Sequence, residues 1–176
     1  MRNTAFFLAG IALLVVQANL FRVLGHVNVP GLVPSLVLPL ILFMGVHEYS
    51  FARGAAVAFV LGYATDIIGI APVGLYTFTY VATFVLARGA GVRLAAATML
   101  MQVVLAVAFT GLHSVMVLVL VAIFGRDAYV PRAIYPLALP HILATGAVAP
   151  LIFRIAERLH NATVASPRAD AGGGRA

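Results

Sequence analysis

A chain of 176 residues with 63% hydrophobic and 9% charged residues, and a mean hydropathy of +1.09, is not built for water, since a soluble domain carries about 25% charge. Cysteine is absent, which excludes a disulfide framework and a thiolate metal site. The net charge of +6 comes from eleven basic residues, all arginine, and a positive-inside bias accounts for it more simply than nucleic-acid binding does.

The apolar runs predict an all-α integral membrane protein of six spans. The first, Thr4–Phe21, has 18 residues. Arg2 before it and the "VQA" within it resemble a signal peptide, but the run is long for a signal core and is read as a helix. A loop with Arg22, Gly25, Pro30 and Gly31 leads to the second span, Pro34–Val46. That span is short and holds Pro39, so it is expected to be kinked, re-entrant or extended at its ends. The third span is Gly54–Gly69 and the fourth Gly74–Ala87, followed by "RGAGVR". The fifth, Leu94–Phe124, has 31 residues, about 46 Å of helix, and is read as tilted, kinked or projecting. The sixth, Ala133–Phe153, is interrupted by Pro136, Pro140 and Pro150. Residues 1–153 form one transmembrane domain, and 154–176, ending "SPRADAGGGRA", a disordered cytoplasmic tail.

Six spans put Arg2, Arg53, Arg88, Arg93, Arg154, Arg158, Arg168 and Arg175 on one side and Arg22, Arg126 and Arg132 on the other. Eight against three predicts that both termini are cytoplasmic.

One carboxylate falls inside a span. Asp66 lies thirteen residues beyond Arg53, about 20 Å along the third helix. Gly54, Ala58, Gly62 and Asp66 recur every four residues, with Gly69 on the same side. They define a small-residue face that admits close helix contact. Burial and a helix C-terminus both disfavour a charged carboxyl, so Asp66 is expected to be protonated or held by donors. The connection from Gly69 to Gly74, with Pro72, is short enough to force an antiparallel hairpin. Tyr76, Tyr80 and Thr83 then share a face of the fourth helix, and Tyr76 is expected to reach Asp66. An ion pair with Arg22, Arg126 or Arg132 is the other route. An intramembrane acid marks a pathway or partner site by default; a pin for the hairpin is the structural counterpart, and both stand.

Enzymatic chemistry finds little support. Ala52, Arg53, Gly62 and Asp66 match half of the CDP-alcohol phosphotransferase signature. Its four carboxylate positions, however, carry Gly45, Glu48, Asp66 and Ile70, with Tyr49 in place of a glycine, and two acids cannot hold a metal pair. "HEYSF" at His47 lacks the second histidine of a zinc helix. His113 and His141, with Ser114 and Thr145 beside them, are expected to bond between helices rather than relay protons or meet Asp66. No metal or cofactor site is predicted. The "NAT" at Asn161 is a glycosylation pattern on the wrong side of the membrane.

The stretch "GYATDIIGIAPVGLYTFTYVATFVLAR", with Gly62, Asp66, Gly69 and Gly74, resembles the rod shape-determining protein MreD family. The upstream "VPSLVLPLILFMGVHEYSFARGAAVAFVLG" is similar to that family's proline-led second helix, though Ser35 is only a loose fit to the acidic or small residue often found after the proline. The likeness covers Pro34 to Arg88. It implies a fold similar to the substrate-binding subunits of energy-coupling-factor transporters. It also implies a non-enzymatic scaffold of the bacterial cell-wall elongation complex in the inner membrane. The implied partners are the bitopic MreC, the actin-like MreB and the sidewall glycosyltransferase–transpeptidase pair. Partner contacts are expected at the third helix and at Ala95, Ala96 and Ala97. The alternative is a vitamin-type transporter subunit with Asp66, Tyr76 and His141 as ligands.

Overall fold

Backbone polar groups that leave water must be satisfied within the protein, and helices do this segment by segment. The computed structural model describes residues 2–24, 31–47, 50–69, 72–90, 98–124 and 130–165. Among them are six helices and no strand: α1 (Arg2–Leu24), α2 (Val37–Val46), α3 (Phe51–Ile68), α4 (Leu75–Gly89), α5 (Met99–Phe124) and α6 (Val130–Ala165). Three stretches, Phe51–Ile68, Met99–Phe124 and Pro136–Thr163, are each long and apolar enough to cross a membrane. Large apolar side chains such as Leu8, Ile67, Phe78, Leu100, Val115 and Leu139 face outward. In water such a surface would be a liability; in lipid it is the expected exterior. The chain is a helical membrane protein.

Helix α2 forms the centre. All ten of its residues are buried, and it touches each of the other five helices. Around it, α3 pairs with α4 and α5 with α6. Contacts fix the directions. Val33 meets His141, Ser35 meets Thr145 and Phe43 meets Phe153, so residues 31–47 run parallel to α6. Phe6 meets Phe43 and Gln17 meets Leu36, so α1 runs the opposite way. His47 and His160 come together at one end, where Phe51 of α3 also meets Phe84 of α4. Arg154 reaches Met99 at the start of α5. Arg53, Arg88, Arg154 and Arg158 therefore share that end.

The second element departs from a simple span. Residues 32–35 are non-helical, and the helix begins only at Val37. Pro39 sits in its first turn, where a missing N–H forfeits no bond, and the helix runs uninterrupted from Val37 to Val46. Helix α6 departs in the other direction. Its three internal prolines do not interrupt it, and it continues through Ala165 rather than stopping at Phe153. Ala156 is fully buried and Leu159 packs against the core, which holds residues 154–165 in helix where a disordered tail was expected. Glu48, Tyr49, Ile70, Arg93, Ala95, Ala96, Ala97, Arg126, Arg168 and Arg175 lie outside the described residues. So do Gly25, Pro30 and the side chains of Arg2, Arg22 and Arg132.

Candidate functional site

Helix α4 starts with a difficulty written into its sequence. Gly74 occupies the N-cap position with φ +101°, a left-handed conformation that glycine adopts without strain. Glycine brings no side-chain oxygen, so the first N–H groups of α4 need an acceptor from elsewhere. Asp66 supplies it from α3. Its Oδ2 accepts from Gly74 N at 2.9 Å, Thr77 N at 3.0 Å and Thr77 Oγ1 at 2.6 Å. Its Oδ1 accepts from Tyr76 N at 2.8 Å. Four donors meet a group with about four acceptor sites. Asp66 thus caps the neighbouring helix, and only 2% of its surface is exposed.

This geometry resolves the electrostatics of the position. The C-terminus of α3 disfavours negative charge, but the N-terminus of α4 favours it, and the bonds go to α4. The approach also requires Gly62. A Cβ there would stand 2.5 Å from Thr77 Cα and 2.8 Å from Tyr76 O. Gly54, Ala58 and Gly62 are buried on the same face of α3 as Asp66. Gly69 and Pro72 are exposed, because α3 ends at Ile68 and the chain turns outward. Leu75 N donates to Pro72 O at 3.2 Å, which closes the turn.

Tyr76 meets Asp66 through its backbone, not its phenol. Its ring points inward, 6.0 Å from both the Tyr80 and the His113 rings. Tyr80 is buried, interacts with the hydroxyls of Ser35 and Thr65, and stands 5.3 Å from His113. His141 takes no part in the Asp66 contacts. Its Nδ1 lies 2.7 Å from Val33 O, and since a carbonyl only accepts, that nitrogen carries the proton. Thr145 Oγ1 donates to His141 O at 2.8 Å and accepts from Ser35 N at 3.0 Å.

The sequence reading missed Thr77 and Gln17. A helix opening Gly–Leu–Tyr–Thr, with no capping side chain of its own and an acid eight residues upstream, is the signal for Thr77. Gln17 is one of two amides, with Asn19, in an otherwise apolar run, and its Oε1 accepts from Leu36 N at 2.8 Å.

Elsewhere, burial lowers the His47 imidazole below its ordinary value, more than the Phe43 carbonyl beside it raises it. Among the described residues no three histidines or carboxylates cluster as metal ligands. Gly45 packs on Ala87 near the end of α4, about 15 Å along that helix from the residues bound to Asp66. The described positions of the phosphotransferase signature thus do not converge. Comparison with protein-family models, curated proteins and solved structures found no match for this chain.

Proposed function

We propose that this protein is a non-enzymatic membrane scaffold of the MreD type, holding an MreC-like bitopic protein within the cell-wall elongation complex of a bacterial inner membrane. The observation that favours this reading is the use of Asp66. Its oxygens are taken up by α4, so metal binding or proton abstraction there would require opening the hairpin. A transporter subunit using Asp66 as a ligand meets the same obstacle. A clamped hairpin offers a rigid outer face to a partner helix instead.

The reading takes all six helices as crossings, the second made of residues 31–46. Both termini are then cytoplasmic, because Arg53, Arg88, Arg154 and Arg158 share one end. Helix α6 projects on that side, with Arg154, Glu157 and Arg158 exposed beside the membrane.

Depletion in a rod-shaped host is expected to round the cells, and affinity purification in mild detergent should recover an MreC-like protein. Normal rods after depletion, with no such partner recovered from undepleted cells, would end this reading.

A further inference from the structure

Past the first turn of α1, the described helical threonines follow a pattern with two exceptions. Thr65, Thr79, Thr83, Thr145 and Thr163 each donate the hydroxyl to the carbonyl four residues back, at 2.7 to 3.0 Å. That bond satisfies a hydroxyl in an apolar setting within its own helix. Thr77 forgoes it to bind Asp66. Thr110 also forgoes it, yet it is fully buried and its Oγ1 has no partner among the described residues. One turn further along the same face of α5, His113 is 5% exposed, and its Nδ1 also lacks a partner. Two such atoms on one helical face would each carry the full penalty of an unpaired buried polar group.

Their surroundings narrow what could satisfy them. The His113 ring lies against Tyr76 and Tyr80 of α4, with centroids at 6.0 and 5.3 Å. Its electrostatic neighbour is another histidine, His141 of α6. The Asp66 carboxylate is engaged by α4, so it is not free as a counter-charge for an ion. A hydroxyl can donate or accept, and a neutral imidazole nitrogen does one or the other.

We propose that Thr110 and His113 form an internal binding site at the α4–α5–α6 seam for one small uncharged group that both donates and accepts hydrogen bonds. Water, or the hydroxyl or amide of a small organic molecule, has this chemistry. The group bridges Thr110 Oγ1 and His113 Nδ1, beside the two tyrosine rings that lie against the imidazole. The site goes beyond the scaffold reading and does not depend on it.

Thermal unfolding of the full-length protein in detergent, with a double-mutant cycle on Thr110→Val and His113→Phe, tests the proposal. If the atoms are bridged, each single change lowers the Tm by about 2–4 °C, and the double change lowers it no further than the larger single one. Thr110→Ser keeps the hydroxyl and is expected to restore most of the Tm. A rise in Tm for Thr110→Val would mean that an unpaired hydroxyl had been removed, and would overturn the site. Additive losses would overturn it as well. Solvent extraction and mass spectrometry then separate the two sources. An organic compound released by the wild type and absent from Thr110→Val identifies a ligand; its absence, with the cycle still coupled, identifies water.

Discussion

At the scale of single residues, Asp66 shows how far a sequence can be read and where it stops. Its spacing with Gly54, Ala58 and Gly62 assigns it to a packing face, because the helical period alone decides which residues share a side. What the period cannot give is the acceptor's destination. Four donors converge because α4 begins at a glycine that cannot cap itself, and that depends on how two helices meet. Removing the charge while keeping the shape therefore tests a clamp. Asp66→Asn keeps acceptor capacity on one oxygen but turns an NH₂ toward groups that also donate. It is expected to destabilise the protein by about 2–3 kcal/mol. Gly62→Ala should cost about 1–3 kcal/mol for a different reason, since the new methyl meets α4 backbone that cannot rotate away. Both losses are measured as a fall in Tm in detergent. Because both changes loosen the same junction, their combination should fall short of the sum. An Asp66→Asn protein with unchanged Tm but diminished recovery of an MreC-like partner would show a contact residue instead of a pin.

At the scale of elements, the interrupted segment 31–46 was the least legible from sequence. Its apolar residues mark it as buried, but hydropathy does not distinguish a short helix with a non-helical lead from a kinked span. The structure makes the difference physical. Non-helical backbone at membrane depth survives only where protein supplies the missing hydrogen bonds. Gln17 takes Leu36 N, Thr145 takes Ser35 N and His141 gives its proton to Val33 O, while Ser35 Oγ takes Leu38 N at 3.3 Å. Gln17, Thr145 and His141 come from α1 and α6, so their purpose is invisible when each run is read alone. Thr145→Val keeps the volume and removes the acceptor of a buried N–H. It is expected to cost about 1–3 kcal/mol in thermal unfolding. Thr163→Val, whose hydroxyl serves only its own helix, should change stability by less than about 0.5 kcal/mol. Equal effects at the two positions would mean that the lead into α2 is not held through Thr145.

At the scale of the whole molecule, the helical class follows from composition, whereas the number of crossings depends on how short elements are counted. Three helical stretches suffice for a crossing by length and composition. Helix α4, with 15 residues, is about 22 Å long and falls short of the roughly 30 Å hydrocarbon core. Tyrosine, threonine and glycine at its start and Arg88 at its end allow it to cross by local thinning of the bilayer. The absence of cysteine makes the topology directly testable, because each introduced thiol is the only one present. Ser50, Val73 and Gly89 are exposed at the start of α3, in the α3–α4 turn and at the end of α4. Replaced one at a time by cysteine, positions 50 and 89 should react with a membrane-impermeant maleimide only from the cytoplasmic face. Position 73 should react only from the opposite face. Since Asp66 ties the turn bearing Val73 to the end of α3, labelling of 73 and 89 from the same face would mean that the hairpin lies along the membrane without crossing it. The arginine-rich end would then no longer define a cytoplasmic side.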